Sequence, residues 1–179
     1  MTNKEILNLV PEINEIKNNS LKEKVVNVWK DAIAHRNWTV DELESIPFTL
    51  LAENVSISFL EHVRTVCKMC IACDDILTEA YHERKTPVNR DYLIAGALLA
   101  DVAKLLEFDK KADGTIYKSD FGKKLRHPFS GVGLAFKYDV PPEVMHIIAV
   151  HSKEGAGEQR SAEAIIFHHA DFIDFELVK

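Results

Sequence analysis

An all-α domain is what this sequence predicts, and three observations carry the prediction. Apolar residues recur at three- and four-residue steps along most of the chain, the spacing that lines one face of a helix. Hydroxyl residues followed three positions later by glutamate, the capping-box signature, stand before several of these runs. The apolar–polar alternation of a half-buried strand is almost absent.

Taken in order, a first helix is expected near residues 3–17. Ser20-Leu21-Lys22-Glu23 and Thr39-Val40-Asp41-Glu42 fit the capping box and would start helices over about 21–36 and 40–46. A long helix follows from Ser56 or Ser58 to about His82, with Phe59, Val63, Val66, Cys70 and Leu77 in step. Thr86-Pro87 breaks that pattern, and Asn89 can cap a helix over 90–106 whose stripe holds Leu93, Ala97, Leu98 and Leu105. Residues 107–123 contain Asp113-Gly114 and no clear period, so they are expected to form a connecting loop. Helices near 126–138, 142–150 and 161–175 complete the chain. Pro141-Pro142 separates the first two, and Ser161 caps the last. With no internal repeat, charge block or linker, the expectation is a single domain with an N-terminal helical extension.

Composition narrows the function. The chain has 179 residues, 46% apolar and 28% charged, which suffices for a core. Lys plus Arg number 22 against 28 for Asp plus Glu, a net −6, so no general attraction to nucleic acid or anionic lipid is expected. Basic residues are not interleaved with aromatics, and nucleic-acid recognition is not expected either. The first residues lack the basic start and apolar run of a signal peptide, and no segment approaches the roughly 20 apolar residues of a membrane span. An odd set of cysteines, Cys67, Cys70 and Cys73, points to a reducing, cytoplasmic setting. On one helix these three would be spread about 120° around the axis, and no fourth Cys exists, so they read as small buried apolar residues rather than as a cluster site. There is no G-x-S-x-G and no strand for a nucleophile elbow.

The informative residues are polar groups where a leucine is expected. Asp101 stands in register with Ala97, Leu98 and Leu105. Asp171 does the same beside Ala164, Phe167, His168 and Phe175. His151 continues the stripe of Val144, Ile147 and Ile148, His62 adjoins that of Phe59, Val63 and Val66, and His127 opens a helix before Pro128. A buried carboxylate is costly unless it is paired, hydrogen-bonded or bound to a cation. Two acids and three imidazoles on different helices can compensate one another around a metal, and such ligands suit Zn, Fe, Mn or Ni. Each taken alone is as well explained as a hydrogen-bonded core residue or a helix cap, and periodicity does not show that the five converge.

The order His62, Asp101, His127, His151, Asp171 resembles the HD superfamily of metal-dependent phosphohydrolases. Glu61-His62-Val63-Arg64-Thr65-Val66 resembles its first His motif, and Leu98-Leu99-Ala100-Asp101-Val102-Ala103-Lys104 its central one. Arg126-His127-Pro128-Phe129-Ser130-Gly131, Ile147-Ile148-Ala149-Val150-His151 and Ala170-Asp171-Phe172-Ile173-Asp174 resemble the remaining three. The resemblance covers about residues 56–179. It implies an HD-domain helical bundle over 51–179, preceded by an extension over 1–50 that could cover the domain, form a homodimer surface or shape the pocket. One departure matters: the His that gives the family its name is Ala100 here.

What the resemblance implies about the site follows residue by residue. His62, Asp101 and Asp171 would form a first metal site lacking one ligand, with His168 a candidate substitute. Asp101, His127 and His151 would form a second, intact site. Lys104 is similar to the family's phosphate- or water-associated lysine. Lys153, in the glycine-containing loop after His151, is a candidate anion contact. The implied activity is hydrolysis of a small phosphorylated metabolite, nucleotides included, with one or two divalent ions of Fe, Mn, Ni, Co or Zn. The other reading, motivated by Ala100, is a catalytically degenerate HD domain that binds a ligand or a protein partner. Di-iron oxygen chemistry, as in relatives of the inositol oxygenase type, generally retains the full ligand set, and Ala100 argues against it.

Overall fold

In the computed structural model, which describes residues 1–51, 57–84 and 86–178, local capping sets most helix starts. Capping boxes at Thr2, Thr39 and Ser58 open α1 (Asn3–Leu9), α3 (Val40–Ser45) and α4 (Phe59–Ala80). The alternative start at Ser56 lies outside the described residues. For α2 (Asn19–Arg36) the cap is Asn18 rather than Ser20, because the Asn18 side chain accepts from the Leu21 amide at 3.0 Å. The helix expected over 3–17 is divided. Pro11 has no N–H to continue the ladder, so a 3-10 turn, Pro11–Glu15, follows α1.

The helix expected over 90–106 is also divided, into α5 (Arg90–Leu99) and α6 (Lys104–Glu107). Between them the Val102 amide donates to the Leu99 carbonyl at 3.2 Å and the Lys104 amide to that of Asp101 at 2.8 Å, the i+3 bonding of a tighter turn. Residues 107–123, expected as loop, instead hold an antiparallel pair, β1 (Phe108–Lys110) and β2 (Ile116–Lys118), with Phe108 opposite Lys118. A short helix, α7 (Asp120–Lys124), comes next. The remaining helices are α8 (His127–Lys137), α9 (Pro142–Val150) and α10 (Ala162–Val178). As expected, Asn89 caps α5, and the Ser161 hydroxyl accepts from the Ala164 amide near the start of α10.

The middle of the bundle is α5, buried from Leu93 to Leu99, with α2, α4, α9 and α10 packed around it. Gly96 permits the approach of α9, since a Cβ there would collide with Ile147. The N-terminal helices share this core: Ile6, Val25, Trp29, Ile33 and Leu43 belong to one buried cluster with Leu98 and Leu105. Two of their tryptophan indoles reach carbonyls on either side of the Asp101 turn. Trp29 Nε1 donates to Leu98 at 3.2 Å and Trp38 Nε1 to Leu105 at 2.9 Å. Because Val102 bonds to Leu99, the Leu98 carbonyl is available to the indole, which meets the buried group's need for a donor.

Cys67 and Cys70 are fully buried and Cys73 half-buried. Burial pushes the Cys67 thiol up to about 12 and Cys70 higher still, so both are inert apolar fillers. Among the described residues no helix is long and apolar enough to cross a membrane. Trp29→Phe keeps an aromatic ring against Phe59 but removes the donor to Leu98. Loss of that buried bond is expected to lower unfolding free energy by about 1–3 kcal/mol, seen as a shifted urea midpoint at constant m-value; an unshifted midpoint would show that the carbonyl does not need the indole.

Candidate metal centre

Four helices and one turn aim their polar side chains at a single point. His62 lies one turn into α4, Asp101 sits in the turn between α5 and α6, His127 is the first residue of α8, His151 caps the end of α9, and Asp171 lies in the middle of α10. His62, Asp101, His127 and His151 are each at most 5% exposed, and the side chain of Asp171 is 13% exposed.

The Asp101 carboxylate divides its oxygens between two groups. Oδ2 lies 3.0 Å from His62 Nε2, which also meets Asp171 Oδ1 at 3.1 Å. Oδ1 lies 3.2 Å from His127 Nε2 and 3.6 Å from His151 Nε2. Ligand atoms of His62, Asp101 and Asp171 fall within 4.8 Å of one another, as do those of Asp101, His127 and His151. The structure therefore brings together His62, Asp101, His127, His151 and Asp171 in two triads with one shared member.

Each imidazole is oriented from behind. His62 Nδ1–H donates to Asp174 Oδ2 at 2.6 Å, His127 Nδ1–H to Glu107 Oε2 at 2.7 Å, and His151 Nδ1–H to the Ile148 carbonyl at 2.8 Å. With every Nδ1 committed, every Nε2 points into the cluster, the arrangement in which an outer acceptor fixes the tautomer of a metal-ligating histidine. His127 Nε2 and His151 Nε2 face each other at 3.2 Å, and one hydrogen bond at most can join them. Imidazole nitrogens and carboxylate oxygens converging without a donor for each acceptor fit a divalent cation of the first transition row or zinc.

Burial and charge pull these groups in opposite directions. Burial opposes a proton on His62, but Asp101, Asp171 and Asp174 outweigh it and raise its pKa to about 10. Burial likewise opposes charge on Asp101, and Lys104 with the three imidazoles holds it well below the usual carboxylate range. His151 is raised, its burial outweighed chiefly by Asp101.

Asp174 and Glu107 were not among the residues singled out from sequence. Asp174 carried a usable signal, since it continues the buried stripe of Phe167 and Ala170. Glu107 carried none, lying where the periodicity ended. His168, the candidate substitute, donates Nδ1–H to the His151 carbonyl at 2.8 Å and packs its ring on Phe172; neither triad found among the described residues includes it. Ala100 itself is fully buried at the end of α5.

The cluster forms the floor of a cavity of about 410 Å³. Lys104, Lys153, Phe108, Phe172 and Phe175 contribute to its walls, together with Thr49, Leu50 and Leu51 from the N-terminal segment. Lys104 Nζ donates to Asp101 Oδ2 and to the Phe48 carbonyl, both at 3.0 Å.

A helical bundle whose interior presents these His and Asp residues in this order is an HD domain, and the HD-domain family model matches residues 59–176. The chain belongs to the HD family. It is 33% identical over 174 residues to the dihydroneopterin 2',3'-cyclic phosphate phosphodiesterase of Methanocaldococcus jannaschii, a match covering 94% of this chain and 68% of that protein. No solved structure matches.

Metal uptake should release protons. Below about pH 10 the His62 ring of the metal-free protein carries two protons, and ligation requires the Nε2 lone pair. At pH 8 calorimetry in buffers of different ionisation enthalpy should show at least about one proton released per chain, with affinity rising between pH 6 and 9; binding without proton release would contradict the assignment of His62 as a ligand. The raised His62 value acts oppositely on the metal-free fold. Its contribution is fully present below about pH 6.5 and lost as pH rises toward 10.

Proposed function

We propose that this chain is a metal-dependent phosphohydrolase acting on a small phosphorylated metabolite, with His62, Asp101 and Asp171 holding one divalent ion and Asp101, His127 and His151 a second. The observation that carries the reading is the Asp101 carboxylate, which lends one oxygen to each triad at the floor of a cavity flanked by lysines. Bound ions supply Lewis acidity for phosphoryl oxygens and a water acidic enough to attack near neutral pH. Nitrogen and oxygen donors without thiolate favour Fe, Mn, Co, Ni or Zn.

The chain's own groups have definable parts. Lys104 spends two N–H groups on Asp101 and Phe48, which leaves one of its three for a phosphoryl oxygen. Lys153 lines the cavity with no carboxylate partner among the described residues. Hydrolysis adds water across a P–O bond, oxygen to phosphorus and a proton to the departing alcohol. Phe108, Phe172, Phe175, Leu50 and Leu51 provide an apolar side for the organic part. The named activity of the archaeal relative makes a 2',3'-cyclic phosphate of a planar heterocyclic alcohol the first substrate to try.

The test is turnover of dihydroneopterin 2',3'-cyclic phosphate, nucleoside 2',3'-cyclic phosphates and an aryl phosphate by protein loaded separately with each of the five metals. Turnover with at least one metal is expected, and Asp101→Asn should lower kcat/KM at least about a hundredfold, since even outer partners of metal ligands are worth 10- to 100-fold. Metal binding without turnover of any phosphoester would favour the binding-module reading that Ala100 motivates.

A further inference from the structure

Glu107 is 4% exposed and belongs to no ligand triad, yet both its oxygens are engaged. Oε2 accepts twice from His127, from the backbone amide at 3.0 Å and from Nδ1–H at 2.7 Å. Oε1 faces the opposite way, 2.9 Å from Lys118 Nζ and 3.5 Å from Arg126 Nε. Lys118 ends β2 and Arg126 immediately precedes α8, and both line the same cavity as the cluster. The surrounding backbone holds Glu107 in place. Its carbonyl accepts from the Ser119 amide and hydroxyl, each at 2.9 Å, and a Cβ at Gly122 would collide with it.

We propose that Glu107 is a positioning residue that ties the His127 imidazole to the cation pair Lys118 and Arg126, and that this pair binds the phosphate group of the substrate. The inference rests on the phosphohydrolase reading and adds to it the wall of the pocket that the anion meets. Three features favour an incoming anion here. Lys118 is about one-third exposed on the cavity side, so its ammonium has solvent-facing N–H groups. Arg126 Nε is buried with no hydrogen-bond acceptor, because Glu107 and Glu154 stand 3.5 and 3.7 Å away. The side chain is about one-quarter exposed and lines the cavity, so its terminal N–H groups are the donors to spare, in the planar arrangement that suits phosphate. The shared carboxylate fixes where these cations stand relative to His127, so anion and metal-ligand positions are set by one side chain.

The experiment uses the whole 179-residue chain, Mn²⁺ binding by calorimetry, and inorganic phosphate as the probe for the Mn²⁺-loaded protein. Lys118→Gln and Arg126→Gln should bind Mn²⁺ within about twofold of the native protein and bind phosphate about tenfold more weakly, as expected for loss of one charged hydrogen bond. Glu107→Gln keeps an acceptor for His127 but loses the charge. It should weaken Mn²⁺ binding about 10- to 100-fold and phosphate binding as well. Native phosphate affinity in both cation variants overturns the proposal, as does native Mn²⁺ affinity in Glu107→Gln. Should Glu107→Gln lack a cooperative melting transition, the two cation variants, which alter partly exposed side chains, decide the matter. A native protein that binds none of the five metals overturns the reading of the site and this inference with it, whereas a native protein that binds Mn²⁺ and phosphate yet is indifferent to all three substitutions overturns the inference alone.

Discussion

A carboxylate sealed in a helical core must be compensated, and Asp101 is compensated from both of its oxygens. His62 meets one, His127 and His151 the other, and Lys104 adds a full positive charge beside the first. Burial of such a group costs several kcal/mol unless its partners are well placed. The partners here are themselves held by Asp174, Glu107 and the Ile148 carbonyl. The cluster is thus a layered construction in which outer acceptors turn imidazoles and the imidazoles face one acid. Removing any layer leaves charge or lone pairs unmatched in the interior.

The fold serves this constraint at the point where α5 gives way to α6. An uninterrupted helix would commit its backbone groups internally; the tight turn at Asp101 frees the Leu98 carbonyl and gives it to Trp29. Trp38 performs the matching task at Leu105. Both indoles come from the segment that precedes the residues matching the HD family. The same segment places Phe48 over the His62 ring, with centroids 4.8 Å apart, and supplies Thr49, Leu50 and Leu51 to the cavity. Its helices share one core with the rest, so the extension both supports the turn that carries Asp101 and shapes the space above it.

Helix starts were legible in the sequence wherever a cap is local, as at Thr39, Ser58, Asn89 and Ser161, because donor and acceptor lie within a few residues. The break at Ala100–Ala103 was not, since Leu98, Asp101 and Leu105 recur at three- and four-residue steps, the spacing of one helical face, so the pattern runs on through the break. Strands of three residues are too short to show alternation, which hid the β1–β2 pair. The polar residues on apolar stripes could be named from spacing, but their meeting point depends on how α4, α9 and α10 pack around α5 and how α8 packs on α9. The same holds for His168, which shares a helix with Asp171 and whose Nδ1 is bonded to the His151 carbonyl. Glu107 became visible only once the β1–β2 pair brought Lys118 back beside it.

The most direct test of the shared-carboxylate account is anomalous scattering from crystals grown with Mn²⁺. Two peaks flanking the Asp101 carboxylate, one among His62 and Asp171 and one among His127 and His151, are the predicted result. Crystals that show no peak at this cluster, although Mn²⁺ saturates the protein in solution, would contradict it.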